Sequence, residues 1–597
     1  MRNHPSRQVT DSTLSRRPKR DRLSLWAPHA TTVEVELNRH RLPMSAAGRG
    51  YWVLDEPRPV AGDRYLFRID GGPLRPDPRS MRQPEGVHQA SEWVEPYSHV
   101  RHAEDRFIAP ALDSAVIYEL HVGTFTAEGT FDAAVTRLDY LKELGVSHIG
   151  LMPVAAASGT RGWGYDGVAL YAVCEAYGGP DGLQRFVQAC HARGLAVVMD
   201  VVYNHLGPEG NYLGEFGPYF TDAYKTPWGS AVNLDGPGSD EVRRFLFDNA
   251  RMWLEDYGCD GLRIDAVHAL FDMSALHFLE ELAIETDRLA HETGRSLVLI
   301  AESDLNDPRL VTPRCCGGYG LDAQWSDDFH HALHVALTAE QQGYYKGFTG
   351  IEDLATSLRE VFIHAGDYSA ARGRRHGRPV GTLPGCRFLA YSQNHDQVGN
   401  RARGERLCHL VSPAHARIAA ALTVLAPFVP MLFQGEEWAA SSPFLYFTDH
   451  GDADLGAAVK EGRRREFSAF GWKPEDIPDP QLPQTYNASV LDWREQSVAE
   501  HAEMLDWYRR LLALRRSEDD LRYPDRAATS VTCDPEAGWL QLRRGAIDIV
   551  AAFADRALQL RLNAGRPLLC SQNATLKPNG ELQFSGPGVA VSRRARA

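Results

Sequence analysis

The sequence predicts a multidomain α/β protein: a (β/α)8 TIM barrel between an N-terminal immunoglobulin-like β-sandwich and a small C-terminal β-sandwich domain. Three observations predict it. Eight short apolar runs alternate with amphipathic stretches over about 400 residues. The flanking segments instead show period-2 alternation broken by turn formers. No Gly-x-Gly-x-x-Gly follows the first apolar run, which disfavours a doubly wound open sheet, and the right-handed crossover rule with eight strands favours closure.

In chain order, residues 1–20 read as a disordered basic tail with six Lys or Arg. Residues 21–105 read as the first sandwich, of a carbohydrate-binding-like type. Leu23-Ser-Leu-Trp-Ala, Val33-Glu-Val-Glu-Leu and Tyr65-Leu-Phe-Arg-Ile alternate there, between turns at Ala61-Gly-Asp and Asp70-Gly-Gly. The barrel, with inserted loops, is assigned to 106–518 and opens with a linker near Phe107–Ser114. Strands are expected at Val116–Leu120, Ser147–Met152, Leu195–Val201, Gly261–Asp265, Ser296–Ala301, Gly320–Trp325, Arg387–Ser392 and Val429–Phe433. A helix with Phe131, Val135, Leu138 and Leu141 on one face is opened by Thr130 and closed by Gly145. Ser412 followed by Pro413 suits an N-cap and N1, and a last helix spans about Ala502–Arg516. Alternation returns in Trp539-Leu-Gln-Leu and Ile547-Asp-Ile-Val, within a β domain assigned to 519–597.

A chain of 597 residues, 43% hydrophobic and 24% charged, suits a soluble protein of two to four domains. Its apolar runs are too short to cross a bilayer, and a formal charge of −14 disfavours nucleic acid and anionic membrane as partners. Nine scattered cysteines lack metal-ligand spacing and read as reduced thiols. The basic start has no apolar h-region behind it, so a cytoplasmic location is expected.

Catalytic groups of a barrel gather where strands end. Four expected strand ends carry charge: Asp200-Val-Val-Tyr-Asn-His205, Arg263-Ile-Asp265-Ala-Val-His268, Glu302-Ser303 and Gln393-Asn-His395-Asp396-Gln397. One carboxylate beside an apolar run can be a cap or an ion pair; four at successive strand ends suggest chemistry. Retaining glycoside hydrolysis needs two close carboxyl groups, one attacking the anomeric carbon and one protonating the departing oxygen. Arg263 lies two residues before Asp265, on the same side of the strand, and a guanidinium favours the ionised nucleophile. Glu302 lacks a cationic neighbour in sequence, so desolvation is expected to keep it protonated as general acid. Asp396 and His395 remain to bind ring hydroxyls and stabilise the oxocarbenium-like transition state.

In order and spacing these four segments resemble the motifs of the α-amylase superfamily, glycoside hydrolase family 13. The resemblance implies Asp265 as nucleophile, Glu302 as proton donor and general acid/base, and Asp396 as transition-state stabiliser. It places His205, Arg263 and His395 at subsite −1. Tyr165, in Gly162-Trp-Gly-Tyr-Asp166, resembles the tyrosine that stacks beneath that sugar. Asp166 and His268, in the same motifs, are expected to bind substrate.

The N-terminal sandwich and Tyr118-Glu-Leu-His-Val-Gly-Thr-Phe125 are similar to the branch holding branching enzymes, debranching enzymes and maltooligosyltrehalose trehalohydrolases. Trp325-Ser-Asp-Asp-Phe-His-His331 and Pro443-Phe-Leu-Tyr-Phe-Thr-Asp-His450 resemble the last group. That resemblance implies hydrolysis of the α-1,4 bond joining a maltooligosaccharide to a terminal trehalose unit. The alternatives are a 1,4-α-glucan branching enzyme and an α-1,6 glycogen debranching enzyme. A catalytically dead scaffold would have lost a triad carboxylate, and none is lost. Asp327, Asp328, His330, His331, Gln397 and Arg401 are expected to recognise substrate beyond the cleaved bond, with Asp449 and His450 as weaker candidates. Trp325 and Phe329, aromatics within a matched motif, are expected to bind substrate by packing on the apolar faces of sugar rings. Aromatics near the motifs (Trp163, Trp438, Phe444, Phe447) divide between cleft and core. No cofactor is required. Asn204 matches a calcium-ligating position of α-amylases, which leaves a structural metal open. The expected partners are maltooligosyltrehalose and related α-glucans, with a maltooligosyltrehalose synthase upstream; a monomer is expected.

Overall fold

The computed structural model describes residues 21–95, 107–468 and 472–594. The expected basic tail lies outside them, as does the expected junction between sandwich and barrel at 105/106. Eight strands close into one barrel: β1 Ile117–Leu120, β2 His148–Leu151, β3 Ala196–Val201, β4 Gly261–Ile264, β5 Val298–Ala301, β6 Ala323–Trp325, β7 Phe388–Ala390 and β8 Val429–Phe433. All neighbouring pairs are parallel, and β8 returns to β1. Each strand falls where an apolar run predicts one.

Period 2 layers the barrel interior. Ile117, Val198, Ile300, Ala323, Leu389 and Met431 belong to an inner apolar cluster. Two residues further along, β1 reaches Glu119, β3 reaches Asp200 and β5 runs out at Glu302. The strands therefore bring a ring of charge onto an apolar floor at the C-terminal face.

The expected long helix after β1 divides into Phe131–Val135 and Leu138–Leu144. Thr130 Oγ1 accepts from Ala133 N at 3.2 Å, and Gly145 ends the second piece at φ 107°. Ser412 accepts from His415 N ahead of Pro413 in the helix Pro413–Val424, and the last barrel helix spans Ala499–Ser517.

Flanking sheets cover the barrel's sides. In the first, strand Val33–Leu37 alternates buried and half-buried positions, as its sequence alternates apolar and acidic residues. This region joins the barrel through Arg79 Nη1 to Asp248 Oδ2 at 2.8 Å and Tyr51 OH to Glu241 Oε2 at 2.8 Å. C-terminally, a five-stranded sheet runs Thr529–Asp534, Trp539–Arg544, Ile547–Ala552, Gly588–Arg594, Gly565–Cys570, with a three-stranded sheet beside it. No helix among the described residues is long and apolar enough to cross a membrane.

Two buried arginines act here without carboxylates: Arg515 ties the last barrel helix to the turn before β8, and Arg544 joins the C-terminal sheet to that same turn. Arg515 Nη1 donates to Val424 O at 2.7 Å and Nη2 to Phe428 O at 2.9 Å. Arg544 Nη1 donates to Leu425, Ala426 and Leu521 carbonyls at 2.9–3.1 Å. Several of these oxygens are the orphan acceptors of helix C-termini, whose dipoles favour a cation. Burial pushes the Arg544 pKa down to about 10. Arg515→Leu leaves buried carbonyls unpaired, at a cost of about 2–5 kcal/mol. The expected result in a thermal scan is a Tm several degrees lower, with kcat at 25 °C unchanged.

Candidate active site

Arg263 is the hub. It is the register partner of Asp200 on the neighbouring parallel strand, so both side chains point into the barrel mouth. Its Nη1 lies 2.8 and 2.7 Å from the two Asp200 oxygens and 2.9 Å from Asp265 Oδ1. Its Nη2 lies 3.3 Å from Glu302 Oε2. The sequence suggests no cation beside Glu302; the closed barrel supplies one, because Arg263 pairs in register with Ile300, two residues before it. Beneath the guanidinium sits the Trp325 ring, 4.2 Å from centroid to Cζ.

Asp265 is held from a second side, where Asn204 Nδ2 donates to its Oδ2 at 3.1 Å. The Asn204 carbonyl is 3.1 Å from His205 Nδ1, so both ends of this amide are engaged within the site. Among the described residues no group of three or more His, Cys, Asp or Glu is placed to hold a metal ion. After Asp265 the chain turns sharply: Ala266 has φ +38° in the left-handed region, costly for a residue with a Cβ. That turn aims the Ala266 N–H at Glu302 Oε2, 2.5 Å away.

The opposite wall starts at the helix His395–Gly399, where Asn394 and Gln397 form a capping box. His395 Nδ1 lies 2.7 Å from Glu119 Oε1, and its Nε2 lies 2.8 Å from Tyr165 OH. Tyr165 donates onward to Asp200 Oδ2 at 2.7 Å, so its oxygen accepts from His395. The rings of Tyr165 and His395 stack at 5.1 Å. Burial alone would lower the His395 pKa, but Asp396 and Glu119 outweigh it and raise it to about 9. For Asp396, burial and the nearby Glu302 charge push the pKa up, against the pull of His395. Asp200 is raised by burial and by Asp265, to about 7, despite Arg263.

This arrangement has close relatives. A model of the α-amylase catalytic domain matches residues 96–226. The malto-oligosyltrehalose trehalohydrolase of Rhizobium sp. (strain M-11) is 48% identical, covering 96% of this chain and 97% of its own. The protein of that name from Saccharolobus solfataricus is 47% identical, over 83% and 84%. This chain belongs to the malto-oligosyltrehalose trehalohydrolase family. A crystal structure from Salmonella typhimurium, provisionally assigned as an α-amylase, superposes at TM-score 0.87 with 37% identity, covering 96% of this chain and 97% of its own. A Corynebacterium jeikeium branching enzyme is 30% identical but covers only 52% of this chain and 48% of its own.

In this trehalohydrolase-family chain the carboxylates open into a cleft of about 760 Å³. It brings together Tyr165, Asp166, His205, Asp265, His268, Glu302, Asp327, Asp328, His331, His395, Asp396, Gln397 and Arg401, all singled out from sequence. The helix Asp327–Thr338 sorts the rest of its motif by its 3.6-residue period. Asp327 and His331, one turn apart, face the cleft. Phe329 does not: it is buried in the core, edge-on to Phe428 at 6.2 Å. His330 lies behind the wall, with Nδ1 2.8 Å from Ser392 O. Trp325 is likewise no cleft wall but the barrel floor under Arg263. Asp328 borders the cleft, yet its Oδ2 accepts from Asn306 Nδ2 at 2.8 Å and Ile363 N at 2.7 Å, so it ties loops together. Asp449 is engaged by Arg161 and Thr160, and neither it nor His450 lines the cleft. Of the four aromatics left undivided, Trp163 reaches the cleft, while Trp438, Phe444 and Phe447 are core.

Several cleft residues escape sequence reading. Trp228 stacks on His205 at 4.5 Å, and Trp472 lies 5.5 Å from the Arg401 guanidinium. Tyr344, Tyr345 and Phe348 come from a loop after the helix Asp327–Thr338, and Arg372 reaches in to Asp304 at 3.0 Å. The aromatic density of Gly343-Tyr-Tyr-Lys-Gly-Phe348 was the one available signal.

Glu119→Gln removes one of the two charges that hold His395 protonated. The folded His395 pKa then falls from about 9, by about one unit. A raised histidine stabilises fully below its unfolded value near 6.5, and that contribution is lost as pH rises through 9. The variant is therefore expected to lose both activity and stability at lower pH. A kcat/KM–pH profile checks it: the alkaline limb moves to lower pH, and the acid limb stays.

Proposed function

We propose that this chain hydrolyses, with retention, the α-1,4-glucosidic bond between a maltooligosaccharide and a terminal trehalose unit, releasing trehalose. The arrangement that carries the chemical half of this reading is one guanidinium touching both Asp265 and Glu302 at the mouth of a closed barrel. It keeps two carboxyl groups close together, as a double displacement needs. Asp265, pinned by Arg263 and Asn204, is the nucleophile. Glu302 protonates the departing oxygen and later activates water. Asp396 stabilises the oxocarbenium-like transition state, with the His395 cation beside it. No metal or organic cofactor enters the reaction.

Substrate choice rests on the full-length match to relatives of that name, against a branching enzyme that covers half the chain. Asp327 and His331 supply the polar side of the cleft. Burial raises the Asp327 pKa to about 8 and lowers that of His331 to about 3, which favours the neutral form of each. Neutral buried groups that must hydrogen-bond discriminate strongly, because a sugar of the wrong shape leaves them unpaired. The substrate would come from an enzyme that makes the terminal α,α-1,1 linkage, in the cytoplasm.

Maltooligosyltrehalose and the linear maltooligosaccharide of equal glucose count separate the readings when products are resolved by chromatography. Free trehalose from the first, with the second cleaved far more slowly, is expected. New branch points, or release of branches from glycogen, would assign the chain to a sibling activity. Asp265→Asn and Glu302→Gln are each expected to lower kcat by about 10⁴-fold or more without lowering Tm.

A further inference from the structure

We infer that Arg463, on the helix Ala453–Ser468, is a positioning residue for the reaction: it fixes the amide of Asn400 so that its nitrogen faces Asp396. The inference rests on the assignment of Asp396 as transition-state stabiliser. Arg463 Nη1 donates to Asn400 Oδ1 at 2.8 Å, and Nη2 donates to Gly399 O at 2.8 Å. Asn400 Nδ2 in turn lies 3.4 Å from Asp396 Oδ1. The guanidinium itself is held between Tyr446 and Phe467, 4.5 and 4.4 Å from their centroids, with Glu466 Oε2 3.4 Å from Nη1. Only 13% of its side chain is exposed.

The chemistry of the two groups makes the contact directional. A guanidinium has five donors and no acceptor, so only the oxygen of an amide can face it. That orientation leaves the Asn400 NH2 pointing toward the Asp396 carboxylate. Without Arg463 the amide gains freedom to present its oxygen, which would repel an ionised Asp396. Asn400 follows the helix His395–Gly399, and its backbone N–H donates to Asp396 O at 2.8 Å, so the backbone keeps it near while the side chain turns. The helix Ala453–Ser468 lies outside all four motifs, yet through Arg463 it sets the group facing the transition state.

The test measures kcat, KM and Tm on maltooligosyltrehalose for Arg463→Met, Arg463→Lys, Asn400→Ser and the Arg463→Met/Asn400→Ser double variant. A misdirected group costs about 10- to 100-fold. Arg463→Met and Asn400→Ser are each expected to lower kcat by that much, with KM changed less than about threefold. Arg463→Lys, which still donates to the amide oxygen, recovers part of the loss. The double variant is expected to be no slower than the worse single variant, because both changes break one relay. A kcat within twofold of wild type for Asn400→Ser, a multiplicative double variant, or a fall in Tm with kcat retained would overturn the inference. Asn400→Ser carries the test if Arg463→Met does not fold. Trehalose release by the wild-type enzyme is read separately; if that fails, the same variants assayed on whichever α-glucan is cleaved still decide the relay.

Discussion

The Arg263 cation is buried at the end of β4, and the site is organised by what must surround it. A charge so far from water is tolerable only with close, well-directed partners. Asp200 arrives from β3 by register, Asp265 from two residues further along the same strand, and Glu302 from β5. The face of Trp325 closes the underside. These contacts depend on strand register, since a slip of one residue turns every side chain to the other side. The barrel's registers and the geometry of the reacting carboxylates are therefore one constraint.

The fold was legible because its signals are local and repeated. Eight apolar runs mark eight strands, Thr130 and Ser412 mark helix starts, and Gly145 marks a stop in the left-handed region. The floor of the site was legible for the same reason: the residues sit at strand ends, where period 2 fixes direction. Asn204 shows the limit. Its type and place in the motif fit metal ligation or a hydrogen bond equally, and only the approach of Asp265 decides what its nitrogen faces.

The cleft walls were read less well, and the helix Asp327–Thr338 shows why. A helix turns about 100° per residue, so the residues of one motif spread over several faces and only part of it reaches the cleft. Asp327 and His331 face the sugar side, while Phe329 is fully buried against the core. Trp228, Tyr344, Arg372 and Trp472 come from loops without periodicity, where sequence offers no direction at all. Their places follow from tertiary contacts such as the stack of Trp228 on His205.

Charge balance at the site ties these parts together. Five carboxyl groups (Glu119, Asp200, Asp265, Glu302 and Asp396) share two cations, Arg263 and His395. Burial and neighbouring carboxylates push the pKa values of Asp200 and Asp396 up, against the pull of these cations. A retaining hydrolysis needs such a cluster: one carboxylate ionised for attack and one proton held ready for the leaving oxygen. Arg263 and Asn204 both donate to Asp265, the arrangement an attacking carboxylate needs. Removing a cation from this set therefore alters the site more than removing any one hydrogen bond, because it leaves several buried carboxylates without their partner at once.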